Sequence, residues 1–281
     1  KSIEEATNID TDIKEAPLIN LDNVYLVHPE KYIKYIFSLI PHSGLKGVEK
    51  EPYADTFLCP NSKNAILRSC GAGIAAADSL IKDNRKRIFC AVRPPGHHAE
   101  TERANGFCFI NNVAVTTRYL QKKYQIQKIA IIDFDVHHGN GTQEIFFQDK
   151  TVAYGSIHEF PLFPGTGSEQ EIGIGNIFNA PIVAGTEGKV FIKIFEEKIL
   201  GNIDKFKPEI ILVSAGFDGH KRDPLAHINL ESENYNEITK KIIEVAKIHS
   251  QGRVISFLEG GYDLVALSES IKEHLLGLKE G

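Results

Sequence analysis

The sequence predicts an α/β fold, a single domain over residues 1–281 with a mainly parallel sheet between two layers of helices. Two observations predict it. Short runs rich in β-branched and other apolar residues alternate with longer helix-compatible stretches. No repeat, low-complexity tract or Pro/Ser-rich linker interrupts that alternation.

In chain order, the helix-compatible stretch Ala65–Ile81 precedes the strand-like run Arg87–Val92. Asn111–Lys123 then leads into Lys128–Phe134 and Thr151–Ile157. Lys189–Phe206 precedes Glu209–Ser214, and Ser232–His249 precedes Arg253–Leu258. Short, near-continuous apolar runs mark strands covered on both faces, as in a helix-flanked parallel sheet.

Composition narrows the class. With 281 residues and 42% hydrophobic content, the chain has enough apolar surface for a sizeable core. A net charge of −5 with scattered basic residues leaves no electrostatic footprint for nucleic acid. The basic cluster Lys82–Arg87 reads as a solvated loop between a helix and a strand. No apolar run approaches the ~18 residues of a membrane span, and the polar start does not resemble a signal peptide. Cys59, Cys70, Cys90 and Cys108 lack Cys-x-x-Cys spacing and read as free, mostly buried thiols. The expected compartment is the cytoplasm, or the nucleus in a eukaryotic source. The chain starts at Lys1 and contains no Met, so residues preceding Lys1 are expected.

Every strand-like run is followed by an unusual polar cluster. These are Arg93–His98, Asp133–Gly141, His158 with Pro164–Gly167, Ala215–Asp218 and Glu259–Asp263. In open parallel sheets the site lies outside the carboxyl ends of the strands, so five such clusters converge on one cleft. In Asp133-x-Asp135-x-His137, alternate residues of an extended segment face the same way. Carboxylates and imidazole without thiolate suit a catalytic metal: Zn²⁺, or Fe²⁺ or Mn²⁺ by ligand type. Asp218 can supply a third ligand from a neighbouring strand end. His97-His98 follows Pro94-Pro95-Gly96, a loop that restricts the backbone and then turns. Two imidazoles beside a metal offer a proton-transfer base and a group that tunes it, with Asp133 and Asn140 as candidate orienting partners. Behind Gly260-Gly261, the Tyr262 hydroxyl is placed to polarise a carbonyl. Gly165-x-Gly167 and Gly173-x-Gly175 read as turn glycines, not a dinucleotide fingerprint.

Assembled, these residues resemble the histone deacetylase superfamily, which shares its fold with arginases. The matching stretches run from Asp55 to Tyr262 and include Arg93–Glu100, Gly106–Cys108, Asn111-Asn112, Asp133–Gly141, Phe163–Gly167, Ala215–Asp218, Asp223–Leu225 and Glu259–Tyr262. Arg-Pro-Pro-Gly-His-His, and Asn140 where class I enzymes tend to have Asp, resemble the class II and bacterial acetylpolyamine amidohydrolase branches.

The resemblance implies a zinc-dependent amidohydrolase (Fe²⁺ as the alternative metal) that removes an acyl group from an acylated amine. Asp135, His137 and Asp218 would hold the metal, and His98 with Asn140 would transfer protons. His97 would be its electrostatic partner, bonded to Asp133, and Tyr262 would polarise the acyl carbonyl. Phe107 and Phe163 match the aromatic walls of an acyl-lysine tunnel, with Gly106 its backbone contact. A structural K⁺ near Asp133, Asp135, His137, Ser156 and Ile157 is also implied.

Two departures bear on the substrate. The family opens with a strand and a His-Pro-Glu-x-Pro-x-Arg motif, whereas Val27–Tyr32 matches a later His-x-x-Tyr helix, so the N-terminal strand is expected to be missing or too divergent to recognise. Leu58–Ser62 offers no match for the rim acid that grips the substrate backbone in some relatives. The expected partner is an acylated protein or peptide. The rival is a small acetylated amine such as an acetylpolyamine, which favours a carboxylate where this chain has Leu225. Arginase-like two-metal hydrolysis wants an Asp where His220 stands. A binding domain without turnover would be expected to lose one of the six site groups, all of which are present.

Overall fold

In the computed structural model, which describes residues 11–48 and 55–281, Ile129, Ala130, Ile131 and Ile132 are all fully buried. Side chains alternate along a strand. Ile129 and Ile131 therefore enter a core with Val113, Leu120 and Phe146, while Ala130 and Ile132 enter another with Phe191, Ile199 and Tyr235. A strand apolar on both faces must be covered twice, and helices supply both covers.

Two short helices, α1 (Leu21–Val24) and α2 (Glu30–Ser38), and a two-residue ladder of β1 (Lys46–Gly47) with β2 (Phe57–Leu58) precede α3 (Ser62–Lys82). There follow β3 (Arg87–Cys90), α4 (Asn112–Tyr124), β4 (Ile129–Asp133), α5 (Asn140–Phe146), β5 (Val152–Glu159) and β6 (Ile177–Ile182). Helices α6 (Gly188–Ile194) and α7 (Gly201–Phe206) are joined by a π-helical stretch, Phe195–Leu200. The remainder is β7 (Ile210–Ala215), α8 (Ser232–His249), β8 (Val254–Leu258) and α9 (Leu264–Glu280).

The main sheet has the order β3-β8-β7-β4-β5-β6, and all five pairings are parallel. From β4 the chain moves outward to β5 and β6, and from β7 it moves the other way to β8. The crossovers thus diverge between β4 and β7, which opens a crevice at their carboxyl ends. Asp135 and His137 lie just beyond β4 and Asp218 just beyond β7.

The predicted strands and helices are present within a few residues, and the predicted three-layer arrangement is observed. Besides the short α1 and the β1–β2 ladder, three elements were not foreseen. In β6, Asn179 and Pro181 interrupt the apolar run, which is tolerated because β6 lies at the sheet edge. Helix α5 begins inside the polar cluster after β4, and α9 mixes Ser and Glu into its apolar pattern. Among the described residues the six-stranded sheet begins at β3; residues 1–10 and 49–54 lie outside them. No described helix is long and apolar enough to cross a membrane. The four cysteines are free, with Cys70, Cys90 and Cys108 buried and Cys59 half-buried. All four glycines of the two Gly-x-Gly pairs have positive φ, as turn glycines require.

Candidate active site

Ligand atoms of Asp135, His137 and Asp218 lie within 4.8 Å of one another, and all three residues are buried. His137 Nδ1 is 3.0 Å from Asp218 Oδ2 and 3.3 Å from Asp135 Oδ1. Backbone N–H groups hold the carboxylates from behind. Val136 donates to Asp218 Oδ1 at 3.0 Å, and Gly260 donates to Asp135 Oδ2 at 2.8 Å. A Cβ at Gly260 would stand 2.1 Å from Asp218 Oδ2, so this close approach requires glycine.

Two carboxylates side by side in a dry site repel. Burial, then the Asp135 charge, push Asp218 up to about 6. Burial opposes ionisation of Asp135 too, but His97 and His137 override it and hold that carboxyl below its usual range. Burial also opposes charge on His137, yet the bonds to Asp135 and Asp218 lift it to about 11. The imidazole nitrogen between two carboxylates is the chemistry of a cation site, and the oxygen and nitrogen donors fit a borderline divalent ion such as Zn²⁺ or Fe²⁺.

The histidine pair stands beside this group with ring centroids 3.9 Å apart. His97 Nδ1 lies 3.0 Å from Asp133 Oδ2, which also accepts from the Tyr154 hydroxyl at 3.0 Å. Asp133 Oδ1 accepts the Asp135 N–H. Asp133 is thus engaged behind the pair, outside the triad. Burial works against charge on His97, but Asp133, Asp135 and Glu259 outweigh it and raise it to about 10. Burial, then the cation at His97, hold His98 well below the ordinary imidazole value. His98 Nδ1 lies 2.8 Å from Asn140 Oδ1.

Glu259 is a site residue that motif reading passed over, because Glu-Gly-Gly-Tyr draws attention to the tyrosine. Its buried carboxylate accepts the N–H of Gly96 at 2.7 Å, the N–H of His97 at 3.2 Å and the Ser214 hydroxyl at 3.0 Å. It therefore ties the end of β8 to the histidine loop and to β7. Each donor left unpaired would cost about 1–3 kcal/mol. Glu259→Ala is expected to lower the urea unfolding midpoint sharply. Glu259→Gln still offers an acceptor to the loop and an amide to Ser214, and is expected to lose much less. Equal losses in the two variants would contradict this role.

Around the mouth of the site, Phe163 is edge-on to His98 and His137, with centroids 5.1 and 6.2 Å away. Phe107 is edge-on to Tyr262 at 6.0 Å. Both phenylalanines are about two-fifths exposed. Gly106 has φ +53°, and a Cβ there would meet the His98 ring at 2.3 Å. Burial, then Asp218 and Asp135, raise the Tyr262 hydroxyl, which stays protonated. Asp223 accepts the N–H groups of Tyr262 and Leu225, so one carboxylate holds both loops, and Leu225 itself is exposed. The sequence offered no rim acid within Leu58–Ser62, but Asp55 Oδ2 accepts the Gly106 N–H at 3.3 Å, placing a carboxylate at the aromatic wall. Of the residues associated with K⁺, Ser156 is the strand partner of Asp133, and its hydroxyl lies 2.9 Å from His158 Nδ1. Ile157, the next residue of β5, is fully buried.

The family model described as "Histone deacetylase domain" matches residues 1–278. "Histone deacetylase 10, chloroplastic" of Oryza sativa subsp. japonica is 36% identical over 93% of this chain and 61% of its own length. The "Histone deacetylase-like amidohydrolase" of Pseudomonas aeruginosa is 31% identical over 89% of this chain and 66% of its own. Among solved structures, the HDA15 HD domain superposes with a TM-score of 0.87 at 31% identity, covering 96% of this chain and 75% of that one. The chain spans less than two thirds of several curated relatives, from 18% to 63% in three of them.

Proposed function

Because the chain belongs to the histone deacetylase family, we propose that it hydrolyses the side-chain amide of an acylated lysine on a protein or peptide. One observation carries the choice of substrate. Two partly exposed phenylalanines stand against the site, Phe163 beside His98 and His137 and Phe107 beside Tyr262. Apolar rings so placed suit a thin aliphatic chain that delivers an amide to the histidines.

Asp135, His137 and Asp218 would hold a Zn²⁺ ion, or Fe²⁺ in its place. When bound, the ion supplies Lewis-acid polarisation of the acyl carbonyl and acidifies the attacking water. His98, with Nδ1 engaged by Asn140, has Nε2 left to take the proton of that water. The protonated ring then gives its proton to the departing amine as the C–N bond breaks. His97, paired with Asp133, tunes its neighbour's charge. The Tyr262 hydroxyl donates to the carbonyl oxygen as negative charge builds there. Asp133, Asp135, His137, Ser156 and Ile157 would hold a structural K⁺ behind the site.

A second reading, deacetylation of a small acetylated amine, draws support from Asp55, whose carboxylate at the aromatic wall suits a distal ammonium group. A rate panel separates the two. The Zn²⁺-loaded chain is expected to turn over an acetyl- or trifluoroacetyl-lysine peptide with kcat/KM at least about tenfold above acetylputrescine or acetylspermidine, a gap of about 1.4 kcal/mol. The reverse order would promote the small-amine reading.

A further inference from the structure

Asn140 is held from two sides. Its Oδ1 lies 2.8 Å from His98 Nδ1, and its Nδ2 donates to Glu100 Oε1 at 2.7 Å. The two ends of a carboxamide have nearly the same shape and opposite hydrogen-bonding roles, and an ionised carboxylate only accepts. Facing Glu100, Asn140 must turn its NH₂ outward and its carbonyl oxygen toward His98. That oxygen only accepts, so the facing ring nitrogen must carry hydrogen. We infer that Glu100 is a positioning residue which, by orienting the Asn140 amide, sets His98 in the tautomer protonated at Nδ1 and leaves Nε2 free.

The surroundings keep Glu100 in place. Its N–H donates to the Arg103 carbonyl at 3.0 Å within a tight turn. The next residue, Thr101, donates its N–H and hydroxyl to Glu144 Oε2 at 3.0 and 2.7 Å. Asn140 and Glu144 are one turn apart on α5, so a single helix face docks the segment that carries Glu100. An aspartate at 140 would accept from His98 equally well but would set its second oxygen against Glu100. Asn140 and Glu100 are therefore a matched pair.

The effect on turnover rests on the deacylase reading above, whereas the tautomer does not, and the experiment separates them. In the Zn²⁺-loaded full chain labelled with ¹⁵N-histidine, with His98→Gln used for assignment, His98 is expected to show a protonated Nδ1 and an unprotonated Nε2. Glu100→Leu is expected to mix the two tautomers and to lower kcat roughly 10–100-fold with KM little changed. Asn140→Asp is expected to be similarly impaired. Adding Glu100→Gln to it restores most of the rate, because the glutamine amide can donate to the new carboxylate. An unchanged tautomer in Glu100→Leu, or a double variant no faster than Asn140→Asp, overturns the inference. A shifted tautomer with full activity retained would leave it standing and remove His98 from the proposed reaction.

Discussion

Asp218→Ala is expected to abolish retention of Zn²⁺ through gel filtration and to lower kcat/KM at least about 10³-fold, or about 4 kcal/mol of transition-state stabilisation. The effect is large because Asp218 acts in two ways. It would be one of three protein ligands, and its Oδ1 also accepts the Val136 N–H, which positions the segment carrying Asp135 and His137. The same groups give the loss of metal a pH signature. In the protein without metal, His137 is lifted to about 11 and Asp218 to about 6, so protons occupy the space between the ligands. An ion must expel them, and its affinity therefore rises with pH from 5 to 8. For stability the sign is the opposite. The folded value of His137 is raised, so its contribution to the metal-free protein is complete below about 6.5 and is lost as pH rises through about 11. Chelation is thus expected to cost more thermal stability at pH 8 than at pH 6, as read by scanning calorimetry with and without a chelator. Wild-type Zn²⁺ content in Asp218→Ala would remove this residue from the metal site.

Much of this site is legible along the chain because parallel-sheet chemistry collects at strand ends. Asp135, His137 and Asp218 follow two apolar runs whose burial on both faces marks them as central strands, and their side chains do converge. Asp133 shows the limit of periodicity. Alternation puts it on the same side of the extended segment as Asp135. What engages it instead, the His97 ring and the Tyr154 hydroxyl, comes from segments remote in sequence. No local pattern reports the Tyr154 bond, and the pairing with His97 is expected only from Asp133's place beside the histidine loop and from the family resemblance.

Strand order was equally invisible. The crevice between β4 and β7 arises because one crossover runs left and the other right. Glu259, Glu100 and Asp55 were missed for a related reason. Each is an ordinary acid in the sequence and becomes a site residue only through N–H or amide donors that the fold brings to it from 40 or more positions away. Edge strand β6 was missed because burial there is relaxed, and Asn179 and Pro181 break the pattern that marks a strand.

His98→Ala is the second variant with a large expected effect, a fall in kcat of roughly 10²–10⁴-fold with little change in KM. The ring is one of two adjacent imidazoles, and the environment makes them unlike. Asp133, Asp135 and Glu259 favour charge on His97, whereas burial, then the cation at His97, keep the pKa of His98 well below the ordinary value despite its bond to Asn140. A group that is neutral across the working range acts as a base from the outset. The acid limb of wild-type kcat/KM should therefore fall below the ordinary imidazole range, since the rate is lost only once His98 gains its proton. In His98→Ala that limb should vanish, and added imidazole should restore part of the rate by entering the space the ring leaves against Phe163 and Gly106. Zn²⁺ content should stay at the wild-type level, because His98 is outside the ligand triad. A variant that keeps its metal and also its acid limb would assign the proton transfer to another group, and His97, 3.9 Å away between ring centroids, is the first to test.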